Sequence, residues 1–182
     1  MNSIEYSWNS FEQQKFIEGK SEIPSRYKIR IQDIKDKRKD LEIILEKLPH
    51  RYVAKWAFEN ARKYIPLIDI ADDKLKEGII AESSQVFQAR LDGNTSAYKL
   101  RQVVFKVNTL SQKSINDISR YAGRVFVQAI ATGHMRGHAV VSSDYAIKVM
   151  NLLFPDTMEK VEEERNRQIA IANQILEKVI AQ

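Results

Sequence analysis

A chain of 182 residues, 43% hydrophobic and 29% charged, is long enough to bury one core and has the composition of an ordinary globular protein. It has no cysteine, which excludes a disulfide framework, a thiolate nucleophile and a cysteine zinc site. Its 29 basic and 24 acidic residues leave a formal charge of +5, and no apolar run approaches the roughly 20 residues that span a membrane.

Residues 1–31 read as an irregular arm, and residues 32–182 as one helical domain. Glu5, with no apolar stretch behind it, does not read as a secretory signal, so a cytoplasmic location is expected. A short helix is expected near Ser10–Ile17. Pro24 forbids a helix interior, and Tyr27, Ile29 and Ile31 alternate like a short strand that lacks a partner. Lys35, Lys37, Arg38 and Lys39 alternate with Asp33, Asp36 and Asp40. Mixed signs at that spacing predict a solvated helix face with local ion pairs and weaken a phosphate-binding reading of the Arg26–Lys39 run.

Beyond Ile31 the apolar period is helical. Ile34, Leu41, Ile44, Leu45 and Leu48 form a first stripe that Pro49 ends. Val53, Trp56, Ala57, Asn60, Ala61, Tyr64 and Ile65 form a second, interrupted by Pro66. Leu75, Ile79, Ser83, Val86 and Phe87 make a third, closed by Asp92-Gly93, after which Asn94 is expected to cap a helix carrying Ala97, Leu100, Val104 and Val107. Ser114 and Asp117 resemble a capping box opening a helix with Ala122, Val125, Phe126 and Ala129. Another follows Gly137, and Asp156 with Glu159 is expected to cap the last, which runs to about Val179. These patterns predict an all-α, single-domain antiparallel bundle of about seven helices with an irregular N-terminal arm.

The segment Ala129–Ala139 concentrates two of the three histidines with two of the six glycines. One helix from Asp117 to Leu153 would be about 55 Å long, too long for a domain of this size. A break is therefore expected at Gly133–Gly137, with glycine supplying a left-handed cap and small residues letting backbones approach. His134 and His138 could form a metal pair, with His50 as a third ligand and Asp144, Glu82 or Asp69 as carboxylates. A helix break spoils that geometry, and no His-Glu-x-x-His is present. The alternative is that each histidine bonds a backbone carbonyl at a helix end. Ser142 and Ser143 lack a nucleophile elbow and no Gly-rich phosphate loop occurs, so nothing requires an enzyme and no cofactor is implied. Trp8, Trp56, Tyr64 and Phe87 read as core or interface anchors, and Asn60 and Glu82 as hydrogen-bonded polar residues beside the core.

Two blocks carry a family resemblance. His50-Arg51-x-x-Ala54-x-Trp56-Ala57-x-x-Asn60-Ala61 is followed by Thr132-Gly133-His134-x-x-x-His138-Ala139 and then Tyr145-Ala146, with Asp73-Lys74 and Phe87-x-x-x-Leu91-x-Gly93 between. Over about 48–153 this resembles the all-helical Imm-five-like immunity proteins of bacterial polymorphic-toxin systems. Relative to that pattern, Asn60 replaces a cysteine, Gly133 an alanine, Phe87 a tryptophan, and Lys74-Leu75 an Arg-Pro pair. The resemblance implies a non-enzymatic inhibitor of a protein toxin. The motif residues His50, Arg51, Trp56, Ala57, Thr132, His134, His138, Ala139 and Tyr145 are then expected to be structural. A chain at +5 is poorly suited to mimic nucleic acid, so an acidic toxin surface or an interface led by aromatic anchors is expected. The contact surface is expected away from the motif, on the Arg26–Lys39 segment. A metal-dependent helical enzyme using His50, His134 and His138, and a nucleic-acid-binding helical domain, stand as alternatives.

Overall fold

The computed structural model describes residues 3–181. The arm contributes α1 (Ser3–Tyr6) and α2 (Ser10–Ile17), and the latter occupies the segment the sequence predicts. Asn9 caps α2, its side chain accepting from the N–H groups of Phe11 and Glu12. The bundle follows as α3 (Lys35–Glu46), α4 (His50–Arg62), α5 (Asp73–Leu91), α6 (Ala97–Gln112), α7 (Asp117–Ala131), α8 (His138–Leu153) and α9 (Met158–Ile180), with a 3-10 turn at Ile65–Leu67. The protein is all-α. Tyr27–Ile31 form no strand, and among the described residues the one β pairing is an isolated bridge between Ile70 and Ser114.

Helix α7 is the central element, packed on α6, α8 and α4, while α9 closes the bundle over α3, α4 and α8. Its one-sided apolar pattern buries Ala122, Val125, Phe126, Ala129 and Ile130. They meet Trp56, Phe87 and Leu100 in a single core, with Phe58 stacked 5.0 Å from Phe87. Gly123 sets the α6–α7 distance: a Cβ there would lie 2.8 Å from Ser111 Oγ and 3.1 Å from its backbone nitrogen.

Three expected caps differ. Asn94 does not open α6, because its N–H closes α5 by bonding Ala89 O at 2.8 Å while Gly93, at φ 76, bonds Arg90 O. That is a Schellman closure, and Ser96 caps α6 instead. Asn116, not Ser114, caps α7, accepting from Ser119 N at 2.8 Å. The Ser114 hydroxyl is taken up by Leu110 O, at the end of the previous helix. Asp156 adopts φ 56 and so cannot have the extended backbone of an N-cap, and Thr157 stands at that position of α9.

The Lys35–Lys39 run is only partly a solvated face. Arg38 is buried, and its guanidinium grips Asp144 through two bonds of 2.9 Å and also meets Glu42 and the carbonyl of Ser25. Arg165, fully buried, bonds Asp144 at 2.9 Å and clasps Asp33 through Nε and Nη2. Periodicity marks neither as interior, because a buried arginine is defined by carboxylates that arrive from distant helices. The pairing keeps Asp33 ionised below the usual carboxylate range despite burial. Asn60 and Glu82 are hydrogen-bonded, to Arg167 and Lys106 respectively.

Candidate functional site

The α7–α8 junction is where sequence composition and tertiary structure meet. Helix α7 ends at Ala131 and α8 begins at His138, so the expected break is present. Its glycines work differently from the expectation. Gly137 has φ −59, and among the described residues only Gly19 and Gly93 are glycines of positive φ. Short-range bonds from Gly133 N to Ile130 O and from His134 N to Ala131 O tighten the helix end without a left-handed residue. Gly133 is needed for proximity: a Cβ would lie 2.5 Å from Leu100 Cδ2 and 3.4 Å from Phe87 Cδ2.

Carbonyls at the end of α7 lack partners within the helix, and residues from elsewhere supply donors. His50, the first residue of α4, is fully buried, with Nε2 2.6 Å from Thr132 O. Its Nδ1 lies 2.8 Å from the backbone N–H of Trp8, which can only donate. That fixes the tautomer: Nδ1 accepts and Nε2–H donates to Thr132. Burial, with Arg136 and Arg90 nearby, pushes the imidazole pKa down to about 3, so the ring is neutral. Arg90 donates from Nε to Gly133 O at 3.0 Å, satisfying the next carbonyl. Trp8 lies between the two donors, its ring 4.4 Å from that of His50 and 4.6 Å from the Arg90 guanidinium.

The opposite side of the junction is held by α2. Glu12 accepts from Arg136 N at 2.9 Å and Gly137 N at 2.8 Å, placing a carboxylate at the start of α8. The buried Arg136 guanidinium turns toward α3, where it donates to Leu45 O and Leu48 O and also reaches Tyr6 O. One junction residue thus caps the C-terminus of α3 while its own backbone is capped by the arm. Trp8, Glu12, Arg90 and Arg136 have no motif spacing, and the signal that could have found them is the set of unpartnered backbone groups every helix end carries.

The predicted motif residues fall into three groups. His50, Trp56, Ala57, Thr132 and Ala139 are buried, with the Trp56 indole donating to Gln168 O at 3.0 Å. Thr132 also bonds Gln128 O through its hydroxyl. His134 and His138 are half-buried, with ring centroids 5.2 Å apart. His138 Nδ1 is 2.6 Å from Gln128 Oε1, whereas His134 Nδ1 has no hydrogen-bond partner. Burial pushes the His134 pKa down to about 4. Arg51 and Tyr145 reach the surface: Arg51 lies beside Asp92, and the Tyr145 ring is 6.1 Å from that of Tyr121.

The structure does not assemble the proposed metal triad. Both nitrogens of His50 are used in hydrogen bonds, leaving no lone pair for a cation. Among the described residues no three His, Cys, Asp or Glu side chains are grouped as a metal site needs, and no helix is long and apolar enough to cross a membrane. The arrangement can hold two helices at a fixed corner and bind the arm to them.

Neither a curated protein nor a solved structure matches the chain. One family model matches residues 44–175, which take in α4 to α8, the junction and most of α9, and its description is Imm-5 like putative immunity protein. With that match spanning more than half the sequence and containing both motif blocks, the chain belongs to the family of Imm-5 like putative immunity proteins.

Proposed function

We propose that this protein is a cytoplasmic, non-enzymatic immunity protein that binds a partner bacterial toxin and neutralises it. The family match over 44–175 carries the reading. The chemistry of the junction supports binding over catalysis, because the His50 Nε2–H and the Arg90 Nε–H are given to the Thr132 and Gly133 carbonyls. In this reading His50, Trp56, Ala57, Thr132, His134, His138 and Ala139 build the packed centre, and toxin contact is made by the surface it supports. Within the Arg26–Lys39 segment, Asp33 and Arg38 belong to that scaffold, since they are locked into buried ion pairs and are not available to a partner.

The test is co-expression with the toxin encoded beside this gene. Cells producing the toxin alone should stop growing, cells producing both should grow, and the purified pair should co-elute on size exclusion. Loss of growth despite co-expression, with no complex formed, would remove the reading.

A further inference from the structure

A cleft of about 440 Å³ opens on the outer face of α7 and α8 where the arm crosses them. Arg30 of the arm, Arg120 and Arg124 of α7 and Lys148 of α8 line it with Tyr121 and Tyr145, and among the described residues no carboxylate does. Resting on the immunity reading, we propose that this cleft is the docking site for an acidic surface segment of the partner toxin, a stretch rich in aspartate and glutamate.

Charge carries the argument. Four like charges around one concavity repel each other, and a fold gains nothing from that arrangement by itself. Arg120 is offset only by Asp117, an exposed pair 2.8 Å long that water and salt screen. Arg30, Arg124 and Lys148 have no ion-pair partner among the described residues; Arg124 donates to Asn108 Oδ1 at 3.0 Å, which holds its guanidinium in place. The cleft beneath α2 differs, being lined by both signs, so its charges are already neutralised. Carboxylates match the planar fork of Arg124 and Arg120 and can accept from both tyrosine hydroxyls.

The same geometry disfavours nucleic acid. Stacking of bases needs an open aromatic face, yet Tyr121 carries Arg120 at 5.4 Å and Lys148 at 5.5 Å from its ring centroid and packs against Tyr145. Four cations gathered around one short cleft, with Asp156 along the adjoining groove, do not make a continuous track for a phosphate backbone. Tyr145 also gains a role: the family-motif residue that reaches the surface there forms part of the floor of a cationic cleft.

The experiment uses the full chain and two probes, a fluorescein-labelled octaglutamate peptide and a mixed-sequence single-stranded oligonucleotide of similar charge, read by anisotropy at low salt. Arg30→Glu/Lys148→Glu should lower peptide affinity about tenfold or more, and Lys74→Glu/Lys178→Glu, with the same net charge, less than about twofold. Among the described residues the side chains of Arg30 and Lys148 make no hydrogen bond, and far-UV circular dichroism checks that both variants are folded. Equal losses in the two variants would reduce the effect to net charge and overturn the proposal. So would an oligonucleotide that binds more tightly than the peptide and is lost in the same variant, since that marks a nucleic-acid surface. With the neighbouring toxin as probe, binding that survives Arg30→Glu/Lys148→Glu overturns the cleft while leaving the immunity reading intact. Failure of the unaltered protein to bind the toxin would instead strike that reading.

Discussion

His50 and Thr132 stand 82 positions apart, and the imidazole of the first donates to the carbonyl of the second at 2.6 Å. Because Trp8 N–H donates to the other ring nitrogen, one neutral side chain joins the arm, the start of α4 and the end of α7. His50→Ala would leave both backbone groups unpaired in a site with no exposure, and would open a cavity against Trp8. The expected loss is about 3 kcal/mol or more. Urea denaturation with matched m-values measures it, and a loss below about 1 kcal/mol would show that the contact is incidental.

The same ring makes stability depend on acid. His50 and His134 are held down to about 3 and about 4, chiefly by burial, while unfolded histidine titrates near pH 6.5. Between those values the unfolded chain binds more protons than the folded one. Their contribution is therefore complete above about pH 6.5 and is lost as pH falls toward the folded values. Melting temperature should decline steadily from about pH 7 to about pH 4.5. His50→Gln should start lower at neutral pH and decline less steeply, and parallel curves would assign the dependence to other groups.

Asp144 is the anion between Arg38 and Arg165, and all three side chains are almost wholly buried. Asp144→Ala removes the carboxylate that both guanidiniums share, leaving Arg38 with Glu42 and Arg165 with Asp33 but their Asp144-facing donors unpaired, and should cost about 3 kcal/mol. Glu59→Ala, which removes an exposed pair with Arg62, should change stability by less than about 1 kcal/mol. Chemical denaturation of the two variants side by side separates buried from surface pairing.

Two glycines should respond in opposite directions. Gly123→Ala places a methyl 2.8 Å from Ser111 Oγ and against its backbone, and should destabilise by about 1–3 kcal/mol. Gly78→Ala, on an exposed face of α5 with no atom within 4 Å of the new Cβ, should stabilise by about 0.5–1 kcal/mol. Thermal melts of the pair check the sign.

Glu12 is expected to control the junction locally. Glu12→Gln keeps the size of the side chain but removes the charge facing the N–H groups of Arg136 and Gly137. It should cost about 1 kcal/mol and speed amide exchange at the start of α8 ahead of the α7 interior. Unchanged exchange there would show that the arm does not hold the corner.

Periodicity alone established the all-α class and the order of the bundle helices, because an amphipathic stripe such as Ala122-Val125-Phe126-Ala129 is a local property of the chain. It also located the break between Ala131 and His138, where small residues interrupt that stripe, and the motif blocks there identified the family. Cap residues were less legible: Asn94, Ser114 and Asp156 all have the right chemistry, and φ angles and competing backbone bonds select Ser96, Asn116 and Thr157 instead. What only the tertiary structure decided is which polar residues lie inside. Arg38, Arg136 and Arg165 look like surface residues in a linear reading, and each is buried with a partner between 106 and 132 positions away. A buried charge is stable only where its counter-groups converge, and convergence is a property of the fold and not of any one segment. The histidine corner shows the same division, since its residues are recognisable in the sequence while their tautomers, partners and neutral state depend on Trp8, Gln128 and the arm.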